Sequence, residues 1–169
     1  MTFAFNFWVN VKVASKGRVS EIMDMRDRIK EKLQDRIKDW QEKSVKRIYF
    51  SVDKNDIFKV AQVCFKELDL RFITATGTDM PEHFEMLYHF SNDPAGEIYS
   101  VRVLLEDKLN PEIESITPLF PGAEWIEREV WELLGINFKG HPNLKKLLLG
   151  EDWPENEYPL RNKADSNNK

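Results

Sequence analysis

E-R-E-V-W-E-L-L-G-I-N-F-K-G-H-P-N-L-K-K-L-L-L at residues 127–149, followed by E-D-W-P-E-N-E-Y-P-L-R at 151–161, separates the part of the chain that packs on itself from the part that reaches outward. The stretch opens as a charged helix. Ile126, Val130 and Leu133 mark its apolar side, and Gly135 stands where a helix C-terminus calls for a positive φ. It turns through Gly140-His141-Pro142, and Pro142, Pro154 and Pro159 keep the remainder from continuing as one long helix. Nothing in the pattern supplies this arm with a core of its own. Such an arm calls for another polypeptide to lie against, with Trp125, Trp131 and Trp153 as aromatic anchors. The same tryptophans would also serve to pack the helix onto the chain's own sheet.

Upstream, two periodicities alternate. Phe3, Phe5, Phe7, Val9, Val11 and Val13 recur every second residue and predict a strand. After Lys16-Gly17, Ser20 offers an N-cap to a helix whose apolar stripe is Ile22, Met25, Ile29, Leu33, Ile37 and Trp40. Arg47 to Asp53 predicts a short strand with Ile48, Phe50 and Val52 on one face. Asp53 or Asn55 then caps a helix ending near Asp69, and 71–76 predicts another strand, with Gly77 marking a bend. Phe84, Met86, Tyr88 and Phe90 alternate up to the turn S-N-D-P-A-G-E, and Tyr99, Val101, Val103 and Leu105 return, which predicts a hairpin. The expected fold is α+β: a two-layer domain with helices on one side of a mixed sheet, followed by an extended C-terminal arm. Its expected boundaries are 1–110 for the domain with its N-terminal strand and helix, 111–163 for the interface arm, and 164–169 for a disordered polar tail.

Composition narrows the function. With 41% hydrophobic and 32% charged residues but a net charge of only −4, the chain has the makings of a core and no basic face for nucleic acid. Its single cysteine, Cys64, falls on the apolar stripe of the second helix, where a thiol packs as a small hydrophobe. One thiolate cannot hold an iron–sulfur cluster. No apolar run approaches the ~20 residues of a membrane span, and the N-terminus alternates instead of running apolar as a signal peptide does. An intracellular, soluble subunit is expected.

Sites of chemistry are hard to find. Glu127, Glu129, Glu132 and His141 are the candidate acid/base or metal cluster, but helical positions 127 and 129 project in different directions and no metal-binding spacing of His occurs. Glutamates in the first turns of a helix are favoured by its dipole, and an Arg128–Glu132 ion pair accounts for two of the charges. His89 shares the minor face of its strand with Glu85 and Leu87, apart from His83. Seven glycines are scattered, with no phosphate loop among them. A free-standing hydrolase using the carboxylates around Glu127 is the alternative of another class.

Residues 127–149 with E-D-W and P-L-R also resemble the signature of the C subunit of NADH:quinone oxidoreductase, respiratory complex I. That family reads approximately E-R-E-x-Y/F-D-x-F-G-I-x-F-x-G-H-P-D-L-R-R-I-L. Here Trp131 takes the aromatic position, Glu132 and Asn143 the two aspartates, Leu134 the phenylalanine, and Lys145-Lys146 the arginine pair. I-E-S-I-T-P-L-F-P-G-A-E-W and T-G-T-D-M-P-E-H-F-E-M-L-Y-H-F upstream are similar too, so the resemblance covers about 45–163. Asn162 departs from the family's P-L-R-K, and the substituted motif in a short chain suits the equivalent subunit of a membrane-bound [NiFe] hydrogenase or a related sulfur-reducing complex.

The resemblance implies a structural subunit with no cofactor and no catalytic residue of its own. Its partners would be a large catalytic subunit holding the nickel–iron or quinone site and an iron–sulfur small subunit. It would be held peripherally at the cytoplasmic face of the membrane within an ion-translocating, ferredoxin-linked or NADH-linked complex. Trp125, Arg128, Glu129, Trp131, His141, Pro142, Leu144, Trp153 and Arg161 are the expected partner-interface residues.

Overall fold

Phe84, Met86, Tyr88 and Phe90 on β4 (Phe84–Asn92) and Tyr99, Val101, Val103 and Leu105 on β5 (Glu97–Leu105) all point into the core, none more than 2% exposed. The two strands pair antiparallel from Phe84↔Leu105 to Asn92↔Glu97, which is the expected hairpin. The structure, a computed structural model, describes residues 24–162. The strand expected over residues 3–13, the Ser20 cap and the polar tail lie outside the described residues.

The remaining strands assemble on this hairpin. β2 (Arg47–Val52) runs parallel to β5, aligning Ile48, Phe50 and Val52 with Tyr99, Val101 and Val103. That parallel pairing needs a crossover. α2 (Ile57–Lys66) begins it, after a 3-10 turn at Lys54–Asp56 that the Asp53 carboxylate caps by accepting from the Asn55 amide; the N-cap of α2 itself is Asp56, which makes no side-chain cap bond. β3 (Arg71–Asp79) completes the other edge against β4, and β1 (Asp39–Ser44) pairs with β2, giving the order β1-β2-β5-β4-β3. Cys64 is fully buried on α2, as its place in the stripe predicts.

Two expectations are corrected. The first helix does not run on to Trp40: α1 spans Met25–Leu33, a 3-10 turn follows at Gln34–Arg36, and Trp40 lies in β1. Ile37 and Trp40 match a helical period only by accident. Trp40 stacks on Phe50 across the strand pair at 5.5 Å, and pairing with β2 satisfies the backbone there. Nor is Gly77 a bend; it lies within β3, where α3 (Ala123–Leu134) crosses the sheet. A Cβ at Gly77 would lie 2.8 Å from Leu134 Cδ1 and 3.1 Å from Val130 Cγ1, so the missing side chain lets the helix approach.

The segment after residue 110 contributes to the same core. Ile113, Ile116, Phe120, Ala123, Val130, Leu134, Ile136 and Phe138 share one buried cluster with the sheet. Phe120 sits among Phe65, Phe72 and Phe90, with ring centroids 4.9, 4.8 and 6.0 Å away, a burial that contributes roughly 1.5–3 kcal/mol. Short parallel strands β6 (Glu112–Glu114) and β7 (Asn137–Lys139) bracket α3 on either side in sequence. The opposite sheet face mixes Leu87 and Leu104 with polar pairs. Arg102 meets Glu85 at 2.9 Å there, and the His89 ring bonds the Ser100 hydroxyl at 2.8 Å. Burial, and then the charge of Arg47, hold His89 below the ordinary histidine range.

Substituting Gly77→Val tests the helix–sheet approach. Filling that contact is expected to lower unfolding stability by about 1–3 kcal/mol in urea titration, through overpacking against Leu134 and Val130. An unchanged midpoint would mean that α3 is free to ride away from β3.

Candidate functional site: a helix-borne clasp on the C-terminal arm

Three charged side chains of α3 are almost wholly inside: Glu127 at 1%, Arg128 at 4% and Glu132 at 4% exposure. Charges tolerate such burial only with close polar partners. Here the partners are mostly backbone groups of the same chain.

Glu127 holds the connection that leads into α3. Its Oε1 accepts from the Ile116 amide at 2.7 Å, and Oε2 accepts from the hydroxyls of Ser115 at 2.5 Å and Thr117 at 2.9 Å. Burial pushes its carboxyl above the usual glutamate range, against the opposing pull of those donors. Nearby, the Tyr88 hydroxyl is buried with no hydrogen-bond partner among the described residues, and burial drives its pKa far up, with the Glu127 charge adding to the effect. His141 Nε2 lies 4.0 Å from Glu127 Oε2. The Asn143 amide donates to His141 Nδ1 at 3.0 Å, which assigns the proton to Nε2 and makes that nitrogen the donor to the Glu124 carbonyl at 3.1 Å.

Arg128 and Glu132, one helical turn apart, grip the arm from a single face of α3. Arg128 donates from Nε to the Lys145 carbonyl at 2.9 Å and from Nη2 to the Lys146 carbonyl at 2.6 Å. Glu132 accepts the next three amides, from Leu147 at 3.1 Å, Leu148 at 2.7 Å and Leu149 at 3.0 Å. The expected Arg128–Glu132 ion pair therefore does not form. The arm's backbone loses water where it lies on the helix, and its carbonyls and amides require partners of opposite character. Hydrogen bonds to charged groups contribute roughly 1.5–3 kcal/mol each, more than an exposed helical ion pair would. Helix-dipole stabilisation, expected for these acids, is not their main role either, since Glu132 lies in the last turn of α3.

Beyond the clasp the arm returns to the same helix. Lys146 Nζ donates to the carbonyls of Trp153, Glu151 and Gly150 at 3.0, 3.3 and 3.4 Å, curling the loop over its own stem. The Leu160 amide bonds the Leu133 carbonyl at 3.0 Å, and Arg161 Nε bonds the Leu134 carbonyl at 2.8 Å, satisfying the open end of α3. Gly135 has φ +71°, the left-handed turn its position predicts. Its bare Cα also admits Tyr158, whose Cζ would be 2.5 Å from a Cβ there. Asn162, the departure from the P-L-R-K pattern, ties its amide to the Asp79 carboxylate and its side chain to the Asp79 carbonyl, both at 2.8 Å.

The nine expected interface residues thus divide by environment. Arg128, His141 and Arg161 have their polar atoms engaged within the chain. Trp131, Leu144 and Trp153 are half-buried, whereas Glu129, Pro142 and Trp125 are exposed, Trp125 with the Arg128 guanidinium 5.0 Å from its ring. Trp125, Glu129 and Leu133 follow one another along the outward side of α3, and Leu160 joins Glu129 and Leu133 in a shallow groove. Glu127 and Glu132, the residues that hold the site together, were not among those expected. The hydroxyl pair Ser115 and Thr117 upstream was the available signal for Glu127. Among the described residues, no group of three His, Cys, Asp or Glu side chains is arranged to hold a metal ion, and none of the helices is long and apolar enough to cross a membrane. A hydrolytic role for Glu127 finds no support, because its carboxylate is enclosed and already accepts three hydrogen bonds.

Comparison with known proteins matches residues 50–169 to the model of the respiratory-chain NADH dehydrogenase 30 Kd subunit. The C/D 2 subunit of NADH-quinone oxidoreductase from Aquifex aeolicus (strain VF5) is 32% identical over 159 residues, 91% of this chain but only 24% of that longer protein. The C subunit of the same enzyme from Citrifermentans bemidjiense is 32% identical over 119 residues, 66% of this chain and 73% of its own length. The solved structure of the membrane-bound sulfane sulfur reductase (MBS), an archaeal respiratory membrane complex, contains a chain of the same fold, with a TM-score of 0.72 and 23% identity over 81% of each chain.

Two measurements check the clasp. Glu132→Ala removes the acceptor for three amides, so trypsin is expected to cut at Lys145 and Lys146 at least ~10-fold faster, with the core's unfolding little changed. Equal cleavage rates would show that the arm is held by other means. For Glu127 the folded-state pKa lies above the ordinary 4.5, so folding takes up a proton in the window just above that value. Its contribution to stability is therefore greatest below the window and declines as pH rises through it. Glu127→Gln is expected to flatten that part of the stability–pH curve in urea titrations; an unaltered slope would contradict the burial argument.

Proposed function

This chain belongs to the family of the respiratory-chain NADH dehydrogenase 30 Kd subunit, and from that premise we propose that it is a cofactor-free assembly subunit of a membrane-bound, ion-translocating redox complex. The complex is of the energy-converting hydrogenase or sulfane-sulfur-reducing type, with the NADH:quinone oxidoreductase role as the second reading, favoured by the names of its relatives in sequence. The chain docks a large catalytic subunit and an iron–sulfur small subunit, and is held peripherally at the cytoplasmic face of the membrane through them. Electrons pass through its neighbours.

One observation carries the reading. Arg128 and Glu132 are committed to the arm's backbone, while the outward side of the same helix and the arm it holds keep large apolar groups in water. Trp125 on the helix and Leu160 on the arm are each 58% exposed, and Leu148 on the arm is 61% exposed, on a scaffold tied together by the clasp. Apolar side chains fixed in solvent beside a charged rim are what a protein interface uses, and a preorganised arm lowers the entropy cost of docking. The polar pattern of the signature then serves presentation, and contact falls to the apolar residues around it.

Replacing Trp131 or Trp125 by Ala is expected to leave the isolated chain folded and to reduce recovery of the iron–sulfur and large subunits when the tagged chain is purified from membranes. Trp125→Ala, at an exposed position, is the cleaner variant. Normal co-purification of both variants would remove these residues from the interface. Failure of the unmodified chain to recover any redox-protein neighbour would remove the assembly role itself.

A further inference from the structure

Past the clasp, the arm and α3 line a half-open cavity of ≈ 250 Å³ with Trp131, Trp153 and Tyr158 in its walls. It is smaller than the ~300–1,000 Å³ typical of pockets for whole small molecules, and of a size for a single side chain. Its charge is one-sided. Glu132, Glu155 and Glu157 line it against one ammonium, that of Lys146, whose head is already held by three carbonyls. Glu155 and Glu157 are exposed, whereas Glu132 faces the amides of the clasp.

The walls are fixed before anything enters. The Trp153 indole donates to the Glu157 carbonyl at 2.8 Å, which sets the ring's orientation and uses its one polar atom. Tyr158 is seated over Gly135 and already carries a guanidinium, that of Arg161, 4.4 Å from its ring centroid. Aromatic faces beside carboxylates attract a planar cation, and they do so best where the rings are immobile and partly shielded from water. An anion would meet like charge here, and a purely apolar group would gain nothing from the Glu155 and Glu157 carboxylates at the rim.

We propose that this cavity is a socket for one arginine side chain presented by a neighbouring polypeptide. The socket deepens the assembly role and rests on it only for the statement that the arginine comes from a neighbour. Binding needs no change in the arm, since the clasp, the Lys146 loop and the Arg161 tie already hold its walls.

The test is a titration of the full chain, isotopically labelled at its tryptophan indoles, with the peptide acetyl-Gly-Arg-Gly-amide, followed by nuclear magnetic resonance. The indole N–H signals of Trp131 and Trp153 are expected to shift saturably while those of Trp40 and Trp125 stay in place. The paired substitution Glu155→Gln with Glu157→Gln, at exposed positions, is expected to weaken the apparent affinity about fivefold, and the neutral citrulline peptide to bind correspondingly less well. Equal shifts with citrulline, an affinity indifferent to the two substitutions, or silence at Trp131 and Trp153 would each overturn the socket. A chain ending at Asn162 provides the remaining control. If removing 163–169 itself moves the Trp131 and Trp153 signals, the tail is the occupant and the proposal fails. These readings do not depend on recovery of redox neighbours in pull-down, so the socket and the assembly role fail separately.

Discussion

Arg128 and Glu132 divide a length of backbone between them: the cation takes the carbonyls of residues 145 and 146, the anion the amides of 147 to 149. That exchange is the constraint on which the C-terminal third depends. A chain leaving β7 has little regular structure to satisfy its polar groups, and it can lie against an apolar domain only where those groups find partners. Two side chains one helical turn apart supply both kinds. Each is stabilised by the other's work, because the arm that Arg128 positions is what surrounds Glu132 with donors.

The clasp itself requires a helix held close and in a fixed rotation. Gly77 admits α3 to the sheet, Phe120 fills the space between α2 and the β3 edge, and Glu127 ties the residues before α3 to the helix that follows them. Losing any of these would shift the gripping face relative to the arm. The far end is secured in the same manner. Arg161 closes the open carbonyls of α3 while its guanidinium lies against Tyr158 and Phe84, and Asn162 reaches the end of β3 through Asp79. The arm is thereby anchored at both ends to elements of the central core.

This arrangement changes the meaning of the signature pattern. Charged residues in a motif invite a catalytic or intermolecular reading, yet three of the most distinctive here face the chain's own backbone. What they leave facing outward includes large apolar and aromatic groups around Glu129: Trp125 and Leu133 along the helix, Leu148 and Leu160 from the arm. Substitution within the pattern also finds a local cause. Lys146 meets three carbonyls converging on one point, a task for a compact ammonium with three donors as much as for a planar fork.

Sequence alone determined the parts governed by local periodicity. The alternation at 84–90 and 99–105 gave the central hairpin, the stripe through Cys64 gave α2, Asp53 the cap of the 3-10 turn that precedes it, and Gly135 the left-handed end of α3, because each depends on neighbours a few residues apart. Tertiary contacts decided the rest. Trp40 fits a helical period but joins a strand because β2 and Phe50 are beside it; Gly77 reads as a bend but is a passage for a helix that lies some fifty residues away in sequence. The partners of Glu127, Arg128 and Glu132 are ten to eighteen residues distant and are mostly backbone atoms, which every residue possesses and no residue type announces. A pattern of side chains can show that charges are present on a helix, but only the folded chain shows which backbone they are buried against.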